Sequence, residues 1–267
     1  MSEELSQKDN QVETVSRRTA VYIDGYNLYY GRLRGTSYKW LDVVALFEHI
    51  LKVQYPEGTL DAVRFFTAPA LARFASHGQA SMIAQQSYHR ALEARHPDRF
   101  SITLGTHSYD NSGTKLPTFV PGQPFDKNVR SHVWKLEEKK TDVNLAMAMY
   151  RDAAKGRADQ VVLCSNDSDS EPVLQALRED FPALIIGVVT PVHPPPEEGG
   201  RIHRGISTSL ATHAHWTRKH ILDDELARAQ MPPRVPTRKK PVDKPAHWYS
   251  TNDRPDKADP QCAFRRT

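Results

Sequence analysis

The chain has 267 residues, 39% of them hydrophobic and 25% charged, enough for a sizeable core in one large domain or two small ones. No apolar run approaches the roughly 18 residues of a membrane helix, the polar opening MSEELSQKDNQVETVSRR lacks a signal-peptide core, and two cysteines cannot build a disulfide framework, so a reducing cytoplasm is the expected setting. The net charge of +4 is uneven: residues 231–267 carry nine Lys/Arg against four Asp/Glu and leave 19–230 neutral, so the body must attract any anion through local patches or bound cations.

Residues 1–18 lack apolar periodicity and are expected to form a flexible arm. Order is expected to begin at Thr19-Ala20-Val21-Tyr22-Ile23, a β-prone run ending at Asp24-Gly25. Leu41 to Val53 repeats apolar residues at helical spacing, and Ala62 to Phe66 reads as a second strand. Gln79 to Arg95 reads as a helix stopping before Pro97, followed by a strand from Phe100 to Leu104 and a long Gly/Pro/Asn/Asp-rich loop to about Lys127.

The second half alternates more plainly: a helix from Asp142 to Ala154, a strand from Gln160 to Cys164, a helix from Glu171 to Glu179, and the apolar strand Ala183 to Val189. His220 to Gln230 reads as a last helix. Beyond it, seven prolines among 37 residues predict a basic tail, either partly disordered or packed back on the domain. Strands alternating with helices predict a three-layer α/β/α fold around a mainly parallel sheet, with one domain over 19–230.

The acids fall at the strand ends. Asp24 follows the first strand, Asp167 and Asp169 follow the strand 160–164 in Cys164-Ser165-Asn166-Asp167-Ser168-Asp169, and Asp142 opens a helix. In an open parallel sheet the carboxyl ends of the strands form one edge, where such acids converge. Clustered carboxylates repel unless a cation offsets them, and hard oxygen ligands suit Mg²⁺ or Mn²⁺. Taken singly, each acid also serves as a turn residue or helix N-cap.

Three segments carry a resemblance. Tyr22-Ile23-Asp24-Gly25-Tyr26-Asn27-Leu28, Glu138-Lys139-Lys140-Thr141-Asp142-Val143 and Ser165-Asn166-Asp167-Ser168-Asp169 resemble, in order and spacing, the motifs of NYN-domain proteins of the PIN-like nuclease superfamily. The resemblance covers about residues 19–230, and Gln230-Met231-Pro232 with Lys244-Pro245-Ala246-His247-Trp248 is similar to the end of a bacterial branch. It implies a PIN-like fold and metal-dependent hydrolysis of RNA, with Asp24, Asp142, Asp167 and Asp169 holding Mg²⁺ or Mn²⁺ and Asn27 beside them. This chain departs at Asn166, where the family often has Gly, at Ser170, usually aromatic, and at Ala148, where many members carry a further Asp.

Hydrolysis by this set needs a metal-activated water and no Ser/His/Asp arrangement. Asn27 either orients a water or phosphate or holds the Asp24 turn. Arg32, Arg34 and Lys39 are interleaved with Tyr29, Tyr30, Tyr38 and Trp40, a pattern that suits single-stranded RNA and equally a hydrophobic anchor with solvated charges. Lys139 and Lys140 stand beside the acids, to meet a phosphate or to balance Glu137 and Glu138; Ser165 is a further candidate contact. His203, His213, His215 and His220 match no metal spacing, Cys164 reads as core, and no GxGxxG follows the first strand. An inactive RNA-binding or regulatory module of the same fold is the alternative function.

Overall fold

Every strand of the central sheet runs the same way, and the chain reverses its direction of winding once. The computed structural model describes residues 17–195 and 207–249. β1 (Arg17–Asp24) starts two residues earlier than expected and pairs on both sides. A short helix α1 (Gly25–Leu28) and a π-helical turn (Tyr29–Leu33) follow it directly. Next come α2 (Val43–Gln54), β2 (Gly58–Thr67), α3 (Gln79–Arg95) and β3 (Phe100–Leu104).

The stretch expected as a long loop is structured. β4 (Thr106–Ser108), β5 (Thr114–Pro117), β6 (Arg130–Val133) and β7 (Glu137–Lys139) form two nested antiparallel ladders, β5 with β6 and β4 with β7. Their turn chemistry hides them: Asp110 and Asp126 each accept a backbone N–H two residues on, and Gly113 lies at φ +83°. Then follow α4 (Thr141–Ala154), β8 (Gln160–Cys164), α5 (Glu171–Asp180) and β9 (Ile185–Val189). Two small elements went unread in the sequence, α6 (Thr208–His213) and β10 (Trp216–Arg218). The last helix shortens to α7 (Asp223–Arg228), because the Leu222 N–H is taken by Glu225 and the Ile221 carbonyl by Arg32.

The sheet order is β10-β9-β8-β1-β2-β3, all parallel. The chain winds outward from β1 through β2 to β3, returns to β8 on the other side, and winds outward again to β10. β1 and β8 are therefore the switch point, at whose carboxyl ends open α/β sheets bind ligands. Both strands are covered on two faces. Val21, Ile23, Val162 and Cys164 join the core under α2 and α3, and Ala20, Tyr22, Val161 and Leu163 the core under α4 and α5. Period-two alternation between two buried faces explains why these strands read as unbroken apolar runs. The result is the three-layer PIN-like α/β/α fold that the resemblance implied.

The segment after α7 packs on the domain as far as it is described. β11 (Arg234–Val235) pairs with β12 (Val242–Asp243), burying Val235 and Val242, and Met231 is buried beside them. Trp248 sits edge-on to Trp40 and Tyr88, with ring centroids 6.1 and 5.9 Å away. Most of the expected arm, residues 1–16, lies outside the described residues, as do His203, Cys262 and the tail cations Arg254, Lys257, Arg265 and Arg266.

Candidate active site

Asp24 is the last residue of β1, and its carboxylate turns back to cap α1 by accepting the Asn27 N–H at 2.9 Å. Only glycine fits next: a Cβ on Gly25 would lie 2.5 Å from the Phe65 ring and 2.9 Å from the Phe66 carbonyl of the neighbouring strand. The end of β8 reaches the same place from the other side. The Ser165 hydroxyl donates to Asp24 Oδ2 at 3.1 Å and accepts the Asp167 N–H at 3.0 Å, and the Asn166 N–H donates to Asn27 Oδ1 at 2.9 Å. The Asp24 and Asp167 turns are thus laced together across the switch point. Asn166 also accepts the Ser207 N–H at 2.7 Å, a bond that glycine at this position lacks.

Asp142 arrives by another route. α4 starts after Lys140, whose φ of +75° places a non-glycine residue in the left-handed region. Gly105, leaving β3, lets the start of this helix come close, since a Cβ there would meet Thr141 Oγ1 at 2.3 Å. The β4–β7 ladder, with His107 opposite Glu138, then carries Glu138 to the same edge.

Five acids share one field. Burial pushes the Asp24 carboxyl up to about 6 against the pull of the Asn27 N–H, and Asp142 and Asp167 raise it further. Burial raises Asp142 too, and Asp167 and Asp169 add to it. Glu138 is lifted to about 7, first by burial and then by Asp24 and Asp142, although Thr141 donates to it. Glu138 joins the four aspartates expected from the sequence, where it figures only as a charge that Lys139 and Lys140 balance if they do not meet a phosphate. Among the described residues no Lys or Arg pairs with Asp24, Glu138, Asp142, Asp167 or Asp169.

Asp24, Glu138 and Asp142, raised first by burial and then by neighbouring acids, fit a divalent cation, and carboxylate oxygens are the hard donors Mg²⁺ and Mn²⁺ take. Among the described residues no three His, Cys, Asp or Glu side chains close into a cage. Mg²⁺ keeps several waters and is held through one or two carboxylates together with substrate phosphates, so an open, acid-lined cleft is compatible with it. Asp24, Asn27, Asn166 and Asp167 line such a cleft, of about 690 Å³, with Tyr30, Arg34 and His193 on its far wall.

The other expected contacts divide. Arg32 is wholly buried, and its guanidinium is bound to the Ile221 carbonyl at 2.7 Å and to Asp223. It ties the π-turn to the start of α7 and is not a surface contact for RNA. Ser165 is equally buried and spends its hydroxyl on Asp24 and Asp167. Asn27 holds the turn through its backbone N–H and Oδ1, while its Nδ2 makes no hydrogen bond among the described residues. Lys139 pairs with Glu137 at 2.7 Å, whereas Lys140 is exposed without an ion pair among the described residues. Arg34 is exposed, 5.4 Å from the centre of the Tyr30 ring. Of the histidines, His213 faces Glu171 and His215 bonds the Ile186 N–H; neither belongs to a metal cluster among the described residues. Ala148, in place of a further acid, packs against the α4–α5 core.

Over 248 residues the chain is 40% identical to a protein of Pseudomonas putida (strain DSM 28022 / S16) named 6-hydroxy-3-succinoylpyridine 3-monooxygenase HspA, spanning 87% of this chain and 75% of that protein. A crystal structure of a protein of unknown function from Vibrio parahaemolyticus RIMD 2210633 aligns over 82% of this chain and 98% of its own, at 17% identity and a TM-score of 0.43. Residues 18–196, which hold all three motifs and both turns of the acid cleft, match the NYN domain. The chain belongs to the NYN-domain family.

Proposed function

We propose that this protein is a metal-dependent ribonuclease that hydrolyses RNA phosphodiester bonds at the β1–β8 switch point. The observation that carries the proposal is the group of carboxylates lifted by burial and mutual repulsion, with no cation from the protein to offset them among the described residues. Asp24, Asp142, Asp167 and Asp169 would hold Mg²⁺ or Mn²⁺, which supplies a water of lowered pKa and offsets charge on the phosphate. The chain's own part is positioning and proton transfer. Asn27 and Ser165 fix Asp24, and the Asn27 Nδ2 faces an incoming phosphate as a neutral donor. Thr141 occupies Glu138 Oε1, which leaves Oε2 to take the proton of the attacking water. As the water oxygen bonds to phosphorus, the ribose oxygen leaves and takes a proton from solvent. The experiment is cleavage of single-stranded RNA with Mn²⁺, Mg²⁺ or chelator. Metal-dependent turnover that Asp24→Asn reduces roughly 10³-fold or more supports the reading. A wild type that binds RNA and never cleaves it is an RNA-binding module.

A second reading is favoured by one observation, a deep aromatic pocket adjoining the cleft. Together with the relative named as a succinoylpyridine monooxygenase, it fits a small aromatic substrate. The two readings part on stoichiometry: hydrolysis consumes only water, whereas oxygenation consumes O₂ and two electrons from a reductant. Oxygen uptake that depends on a hydroxypyridine and NADH would select the second.

A further inference from the structure

Beside the acid cleft lies a second cavity of about 580 Å³. The two adjoin, sharing Tyr26, Tyr30, Arg34 and Gly35 in their walls. Their characters are opposite. The first is walled by carboxylates. The second has no carboxylate on its wall and is built from rings, with Phe74 from the β2–α3 loop, Tyr88 from α3 and Trp248 from the C-terminal segment facing the two tyrosines. Arg34 and Lys39 are its cations. Aromatic walls with cations among them suit a flat, neutral ring joined to an anion.

Among the polar groups of that wall, His89 and the buried His107 Nδ1 have no hydrogen-bond partner among the described residues. His89 packs edge-on to Phe65 at 6.0 Å and against Tyr88 at 6.1 Å, and no hydrogen bond reaches its ring nitrogens among the described residues. Burial pushes it down to about 4, so at neutral pH it offers one donor and one acceptor. Gln85, by contrast, is committed at both ends to the backbone of Ala68 and Ala70.

We propose that this pocket holds one unpaired nucleobase of the RNA strand whose phosphate lies over the carboxylates, stacked among Tyr30, Phe74 and Trp248 and read at its edge by His89. The assignment deepens the ribonuclease reading and rests on it for the identity of the strand. Single-stranded RNA is recognised by such stacking, and each base–aromatic stack contributes about 1–3 kcal/mol. The tail segment thereby has a part in the site, since Trp248 closes the pocket.

The test separates binding from chemistry. Full-length Asp24→Asn protein in chelator is titrated calorimetrically with the four nucleoside 5′-monophosphates, with inorganic phosphate, and with 6-hydroxynicotinate as a free hydroxypyridine. A nucleotide is expected to bind saturably while inorganic phosphate fails to compete. Phe74→Ala is expected to weaken it tenfold or more, and Ala75→Trp, which fills the pocket from the β2–α3 loop without deleting a side-chain hydrogen bond, should do the same in a protein of unchanged melting temperature. His89→Gln should alter the ranking among the four bases. No nucleotide binding, equal binding in both pocket variants, or binding of the hydroxypyridine alone overturns the proposal, whatever RNA cleavage shows. If nucleotides bind as expected and the wild type never cleaves RNA, the catalytic reading fails and the base pocket stands.

Discussion

Replacing Asp24 by Asn should stabilise the metal-free protein while abolishing its activity, and the size follows from the burial of one carboxylate. Asp24 is 6% exposed and its pKa is pushed from 3.8 to about 6. At about 1.4 kcal/mol per unit, the ionised form costs about 3 kcal/mol at pH 7. That cost is already net of the pull of the Asn27 N–H and the Ser165 hydroxyl, so the amide, a neutral stand-in for the protonated acid, recovers up to about 3 kcal/mol. The melting temperature should rise by up to roughly 6–12 °C for a domain of this size. Because the pKa is raised on folding, the cost is absent below about pH 4, where the group is protonated folded and unfolded alike. It grows between pH 4 and 6 and is constant above. The advantage of the Asn variant should follow that window. Excess Mn²⁺ should reverse the order: at a thousand times its dissociation constant it adds about 4.1 kcal/mol to the wild type and little to the variant. Calorimetry in chelator and in Mn²⁺ at pH 4, 5.5 and 7 measures all of this. A variant less stable than wild type in chelator at pH 7, or equally favoured at pH 4 and pH 7, would refute the reasoning.

Glu138→Gln should lower metal-dependent turnover roughly 10²-fold or more while leaving RNA affinity in chelator unchanged, since it removes the proton acceptor and keeps the Thr141 bond; single-turnover kinetics beside filter binding tests it. Arg32→Met should cost about 3 kcal/mol in denaturant unfolding and spare RNA affinity, whereas Arg34→Ala should do the reverse, because only Arg34 is exposed at the cleft. Asp42, the N-cap of α2, is pushed up by burial but held below the usual carboxylate range by His96, the Ala45 N–H and Arg95. Its stabilisation is therefore present above about pH 4 and lost as pH falls through its unfolded and then its folded value, so the roughly 2–4 kcal/mol cost of Asp42→Asn at pH 7 should shrink in acid unfolding below pH 4.

The elements visible in the sequence are those whose signal is local. Gln79–Arg95, Phe100–Leu104 and Gln160–Cys164 have the bounds their periodicity and flanking residues predict, because a buried strand or amphipathic helix writes its environment into its own composition. Asp24 and Asp167 were legible as strand-end acids, since a parallel sheet brings its carboxyl ends to one edge whatever the details of packing. Tertiary structure decided the rest. The two ladders between β3 and α4 are three or four residues per strand, too short for alternation to stand out, and it is their pairing that delivers Glu138 to the acids. Arg32 and Arg34 are indistinguishable as neighbours in a basic, tyrosine-rich stretch. The π-turn points one into the carbonyl of Ile221 and leaves the other in the cleft. Trp248 sits in a proline-rich tail for which the sequence left both disorder and packing back on the domain open, and it is the fold that sets it against Trp40 some two hundred residues earlier. Contacts at that separation depend on where the whole sheet places its two ends, which no local pattern of residues encodes.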